Sequence, residues 1–253
     1  MLQDADLYGR MRAGLVGIIG LFGTASQTSR LVRWPGVTAS IVPVTPERSL
    51  FNTALFDSQA ALDAEYDALE RAYAEAGVRA FSVWTDPGDD VQSEYLSARG
   101  LKLDGKPLAM GAEIERLALP ETRDLAWSHT DSASAVAQLN EAAYRLPGPA
   151  WQLAFTQLRD PRTRMYIAMQ DGAPAASVLT WDGDFGDCAV CGVATLPQHQ
   201  RRGLASRLLA VALREARQRG AITTSLQASK QGRAVYARMG YRDLGALSVW
   251  EHR

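Results

Sequence analysis

The stretch from Cys188 to Gly220, CAVCGVATLPQHQRRGLASRLLAVALREARQRG, constrains the fold of this chain more than any other. It opens with a β-leaning run of small residues, Ala189 to Leu196, which Pro197 stops. A polar turn follows, Gln198-His199-Gln200-Arg201-Arg202, and then Gly203. From there Leu204, Leu208, Ala212 and Ala216 recur at helical spacing, with Leu209 and Leu213 widening the stripe. Arg217 and Arg219 suit the negative end of a helix dipole, and Gly220 is the expected stop. The segment reads strand, turn, amphipathic helix. Its turn sets several backbone N–H groups and two arginines at a helix N-terminus, a place for a phosphate-bearing ligand.

What the turn lacks narrows the ligand. It has no Gly-Lys-Ser/Thr for a nucleoside triphosphate and no G-x-G-x-x-G for a dinucleotide. It has Gln200-x-x-Gly203-x-Ala205, followed after the helix by a second β-like run, Ala221 to Leu226, and a short helix carrying Ala234-Val235-Tyr236-Ala237-Arg238-Met239-Gly240-Tyr241. This combination resembles the GNAT superfamily of N-acetyltransferases, whose Gln/Arg-x-x-Gly-x-Gly/Ala turn holds the pyrophosphate of coenzyme A. The resemblance spans roughly Asp124 to the C-terminus. It implies a GNAT fold, a twisted, mixed, mostly antiparallel sheet flanked by helices. It also implies acetyl-CoA as cosubstrate and Tyr236 as proton donor to the departing thiolate. Relatives commonly carry Asn seven residues before that tyrosine; Ser229 stands there in this chain.

Composition bounds the remaining possibilities. The 253 residues are 47% hydrophobic and 22% charged, enough for one large domain or two smaller ones. A net charge of −1 gives no sign of a nucleic-acid or membrane partner, and no apolar run is long enough to span a bilayer. Ala13 to Gly23 follows Arg10 and Arg12 as a secretory leader would. Asp4 and Asp6 upstream, and the glycines within, favour instead a buried helix with Leu7, Met11, Leu15, Ile18 and Phe22 on one side. Cys188 and Cys191 form a C-x-x-C inside a β-like run, so their side chains face opposite ways. A redox pair needs that motif at a helix start, and zinc needs more ligands. Two buried free thiols are expected, in a cytoplasmic protein.

The first half runs through an N-terminal helix, a hairpin of Ser29–Trp34 and Val37–Val42 turning at Pro35-Gly36, and a strand in Leu50–Phe56. A helix over Ala60–Ala76 follows, with Leu62, Tyr66, Leu69 and Tyr73 in a stripe and Gly77 as its stop. Then come a strand over Val78–Trp84, a short helix ending at Gly100, and a hairpin over Leu101–Leu117 through Asp104-Gly105. The second half repeats this order. Gly77 and Gly220 lie 143 residues apart, and Gly100 and Gly240 lie 140 apart. We therefore expect a tandem duplication, with a degenerate half at 1–119 and a catalytic acetyl-CoA-binding domain at 122–253. In the second half, helices over Ser134–Tyr144 and Trp151–Leu158 precede a meander of three strands, and Leu244–Trp250 closes the sheet. In the first half the equivalent of Gly203 is Ala60, and Leu96 takes the place of the phenol.

By this reading, main-chain groups of Val193, Ala194 and Thr195 face the pantetheine and the thioester carbonyl. The turn of Gln200, Arg201, Arg202, Gly203, Leu204, Ala205 and Ser206 holds the pyrophosphate, with Ser229 and Tyr236 beyond. No base is evident. Some relatives place Glu in the middle of the central strand, where this chain has Ala189-Val190-Cys191. Glu141, Asp182, Asp184 and Asp187 are base candidates only by neighbourhood, and His199 faces the surface or the phosphate. The expected activity is N-acetylation of a primary amine on a small-molecule or peptide acceptor, by a monomer or homodimer. The alternative is a non-catalytic acyl-CoA-binding or sensing module.

Overall fold

A computed structural model describes residues 1–253. The first half of the chain forms α1 (Asp4–Phe22), β1 (Arg30–Trp34), β2 (Val37–Ile41), β3 (Thr53–Phe56), α2 (Gln59–Glu75), β4 (Phe81–Thr85), α3 (Asp90–Ala98), β5 (Lys102–Gly105) and β6 (Leu108–Glu113). The second half forms β7 (Trp127–His129), α4 (Ala133–Tyr144), α5 (Ala150–Ala154), β8 (Thr163–Gln170), β9 (Ala173–Asp182), β10 (Asp187–Thr195), α6 (Leu204–Gln218), β11 (Thr223–Ala228), α7 (Arg233–Met239), β12 (Arg242–Ala246) and β13 (Ser248–His252).

These elements build two sheets. One has the order β1-β2-β3-β4-β13-β5, the other β7-β8-β9-β10-β11-β6-β12. Leaving out the edge strand β7, the two orders match position by position. In each, one strand pair is parallel, β3 with β4 and β10 with β11, and the helix between them makes the crossover. The duplicated order read from the glycines is therefore present in the topology. The fifth position of each sheet, however, is filled from the other half of the chain.

That exchange corrects two expectations. β5 and β6 do not pair as a hairpin: β5 lies against β13, and β6 against β11 and β12. Likewise Leu244–Trp250 does not close one sheet, because β12 and β13 belong to different sheets. A local hairpin and an exchanged one have the same alternation and the same chain reversal, so the letters look alike. The compact units are accordingly interleaved. One comprises Met1–Ile18, Leu108–Gln152 and Arg159–Leu244; the other comprises Ile19–Pro107, Leu153–Leu158 and Gly245–Arg253. The linear boundary expected near 119–122 lies inside the first of these.

In the unit that carries the site, Leu204, Leu208, Leu209, Leu213 and Ala216 of α6 pack on Tyr166, Val178, Cys188 and Val190 of the sheet. Each leucine so buried contributes about 1.5–3 kcal/mol. The opposite face is covered by the first part of α1. A Cβ on Gly17 would lie 2.3 Å from the Trp181 ring, and one on Gly14 would lie 2.9 Å from the Ala189 methyl. The glycines that argued against a leader thus let a helix lie flat on the sheet. In the other unit the stripe of Leu62, Tyr66, Leu69 and Tyr73 packs on Ile41, Phe56 and Phe81. α5 is shorter than expected, since the Gln157 N–H turns to the Ala25 carbonyl at 2.7 Å instead of continuing a helical ladder.

Candidate active site

β10 and β11 are paired only from Asp187↔Thr223 to Ala189↔Ser225, although β10 runs on to Thr195. On its other side β10 bulges: Cys191 pairs with Leu179 and Ala194 with Ser177, leaving Gly192 and Val193 out of register. Gly192 takes φ +57° there. The β10–β11 pairing ends well before β10 does, and a cavity of about 580 Å³ opens between the end of β10 and the segment that follows β11.

The walls contain most of the residues expected from sequence. Val193, Ala194 and Thr195 come from β10, Ser229 and Tyr236 from the turn and helix after β11, and Gln200, Arg201, Gly203, Leu204, Ala205 and Ser206 from the turn into α6. Arg202 is the exception: it is exposed and does not line the cavity. The walls also include Ala143, Tyr144, His199, Leu209, Gln231, Gly232, Val235 and Arg238, which the motif did not point to.

The turn is built to present backbone donors. Arg201 (φ +62°) and Gly203 (φ +76°) both take left-handed conformations, and α6 starts immediately after. Gly203 bears no side chain there, and its nearest neighbours around an added Cβ are Arg207 Cδ at 3.8 Å and Ser206 Oγ at 3.9 Å. The first N–H groups of α6 have no acceptor within the helix and sit at the positive end of its dipole. Gln200 Nε2 donates to the Thr195 carbonyl (3.3 Å), tying the turn to β10. His199 Nδ1 is buried at this wall without a protein partner. A side-chain-free cradle, unspent donors and this buried imidazole nitrogen fit a pyrophosphate, and the parted strands fit an extended chain attached to it.

At the far wall Tyr236 stands on α7, its ring edge-on to Tyr241 at 5.7 Å. Burial raises the Tyr236 pKa, and the nearby Tyr144 phenol adds to the shift, so the hydroxyl keeps its proton. Ser229 accepts from the Gly232 N–H at 3.1 Å and so fixes the turn into α7. Tyr144, at the end of α4, donates to the Val193 carbonyl at 2.8 Å.

None of the four carboxylates considered as a base lines the cavity. Glu141 accepts from Gln152 N and Nε2 at 3.0 and 2.7 Å. Asp182 accepts two bonds of 2.8 Å from Arg219. Asp184 is exposed in the turn between β9 and β10. Asp187 is buried, accepting from Thr223 Oγ1 at 2.7 Å and Ser225 Oγ at 2.6 Å, and burial raises its pKa despite both bonds. Both cysteines are free, Cys188 buried as expected but Cys191 only half-buried; loss of solvent pushes the Cys191 thiol up to about 12 and raises Cys188 as well, so neither is activated.

The corresponding places in the other sheet differ. β3 and β4 stay paired through Leu55↔Trp84, near the end of β3. Ser58 caps α2 by accepting from the Ala61 N–H at 3.2 Å. Leu96 is fully buried in the core. No helix anywhere is long and apolar enough to cross a membrane.

A crossover helix entered through a glycine turn and a bulged strand parting from its parallel neighbour, within a mixed sheet flanked by helices, make up a GNAT fold. The profile of the acetyltransferase (GNAT) family matches residues 122–241, a little under half of the chain. An uncharacterized N-acetyltransferase of Streptomyces griseus is 41% identical over 63 residues, covering 25% of this chain and only 15% of that protein. Among solved structures, a GCN5-related N-acetyltransferase from Kribbella flavida superposes with a TM-score of 0.68 at 19% identity, covering 95% of each chain. A tandem GNAT protein from the clavulanic acid biosynthesis pathway superposes with a TM-score of 0.59 at 16% identity, over 98% of this chain and 95% of its own. At such identities these neighbours show the fold, with its two sheets in tandem.

Proposed function

We propose that this protein is an acetyl-CoA-dependent N-acetyltransferase acting on a primary amine of a small-molecule or peptide acceptor. The cavity beside the end of β10 carries this reading, because one space is shared by the turn into α6, a bulged strand and a half-buried phenol. Coenzyme A, when bound, supplies an acetyl thioester. The N–H groups from Gly203 to Ser206 hold its phosphates, and Val193 to Thr195 offer main-chain donors and acceptors along the opened strand edge. Tyr236 gives its proton to the departing sulfur, a role that suits a phenol whose pKa burial has raised. With no carboxylate in the walls, the amine proton leaves through water to solvent.

Free-thiol release from acetyl-CoA across a panel of amines tests this directly. Amine-dependent release supports the enzyme. Tight acetyl-CoA binding with no amine-dependent release across metabolite-like, antibiotic-like and peptide amines would point instead to a non-catalytic acyl-CoA sensor.

A further inference from the structure

Two side chains one turn apart on α4 reach the same short piece of β10. Asn140, fully buried, donates from Nδ2 to the Gly192 carbonyl (3.3 Å), the Val136 carbonyl (2.9 Å) and Ser177 Oγ (3.2 Å). Tyr144 donates to the next carbonyl, that of Val193, at 2.8 Å. Ser177, on β9, adds its own hydroxyl to the Gly192 carbonyl at 3.1 Å. Gly192 and Val193 are the residues that the β9–β10 register steps over, and the β10–β11 register has already ended at Ala189. Side chains, in place of a ladder, hold these two carbonyls.

Such bonds fix more than the oxygens. A trans peptide is planar, with its N–H antiparallel to its C=O. Holding the Gly192 carbonyl toward Asn140 and Ser177 therefore points the Val193 N–H the opposite way. Holding the Val193 carbonyl fixes the next peptide plane as well, so the backbone is clamped on both sides of Val193. That residue lines the cavity.

We infer that Asn140 and Tyr144 are positioning residues that clamp the peptide planes flanking Val193 and aim its N–H into the cavity as donor to the thioester carbonyl oxygen. The inference rests on the acetyl-CoA reading above. A donor fixed before reaction needs no reorganisation when negative charge grows on that oxygen, and a misaimed one loses much of its effect.

Infrared difference spectra of carbonyl-labelled acetyl-CoA bound without any acceptor read this hydrogen bond directly. In the parent the carbonyl band lies below its position for free acetyl-CoA. Tyr144→Phe keeps the ring, and the side chain is 53% exposed, so the fold tolerates the change. The variant's band returns toward the free value while calorimetric affinity for coenzyme A stays at the parental level. Ser177→Ala, which weakens the hold on the neighbouring carbonyl, moves the band the same way. With an acceptor, Tyr144→Phe lowers kcat roughly tenfold or more without changing the shape of the pH profile. Parental band positions in both variants, or a parental band no different from free acetyl-CoA, overturn the inference alone. A parent that binds no acetyl-CoA overturns the activity reading and this inference with it.

Discussion

Gly36 stands so close to Ala61 that a side-chain carbon on it would lie 2.6 Å from the Ala61 methyl. Gly36 forms the turn of the β1–β2 hairpin, and Ala61 is in the first turn of α2, the helix at the place that α6 holds in the other sheet. The Asp57 N–H also donates to the Gly36 carbonyl at 2.8 Å. The hairpin tip thus lies on the helix end that, in α6, opens on the cavity. Titration calorimetry with coenzyme A should give one site per chain, and Ala60→Gly should add none, because the obstruction is the hairpin and not the Ala60 methyl alone. A stoichiometry of two in the parent would show the first half to be a working site.

Gly203→Val tests the cradle against an internal control. Gly203 and Gly172 have φ of +76° and +78°, and neither has an atom close enough to clash with an added Cβ. Both valine variants bear a similar backbone strain, about 1–2 kcal/mol. Only Gly203 faces the cavity. Acetyl-CoA affinity should fall at least about tenfold in Gly203→Val and stay near parental in Gly172→Val. Equal affinities for the two variants would move the phosphate site elsewhere.

Tyr236→Phe should act on turnover and spare binding. A proton donor works in the transition state, so its loss lowers kcat on the order of 10²–10⁴-fold at nearly constant cofactor affinity. Because burial raises the folded pKa, the phenol stays protonated beyond its ordinary value near 10. The parent's kcat should therefore show no alkaline fall from this group below that pH. A parental kcat in the variant across the whole profile, with chemistry rate-limiting, would exclude the role.

Asp187 carries a stability consequence of opposite sign to most carboxylates. Its folded pKa is raised, chiefly by burial, so the native state holds the proton more tightly than the unfolded chain does. The stability it contributes is present below the ordinary carboxyl value near 4 and is lost as pH rises through the folded pKa. Asp187→Asn removes that loss while keeping two groups for the Thr223 and Ser225 hydroxyls. The variant's Tm minus the parent's should be more positive at pH 7 than at pH 4. A difference independent of pH would mean that the carboxylate is not destabilised by its surroundings.

Local signals made much of the site legible. The stripe of α6, the glycine at the start of the helix and the Tyr-Gly spacing in α7 are written in consecutive residues, and each is set by backbone conformation or helical period. Tyr144 escaped because its partner, Val193, is 49 residues away and is reached only through the bulge. One trace of it was present: Asn140 stands among Val136, Ala137 and Leu139 on the buried face of α4, and a buried amide must have acceptors. Arg202 was assigned by adjacency, but with Arg201 and Gly203 both left-handed, neighbouring side chains in the turn do not share one direction. The exchanged strands left no mark, since strand partners are chosen by tertiary packing that hairpin letters do not encode.

That exchange sets the order in which the chain can finish folding as it is made. β13, residues 248–252, fills the gap between β4 and β5, yet it is made after every other strand of that sheet. Throughout synthesis β4 and β5 keep open edges, while β6 waits for β11, more than 100 residues downstream. The sheet begun first is thus the one completed last, and the place beside its edge strand β5 stays empty until residues 248–252 have been made.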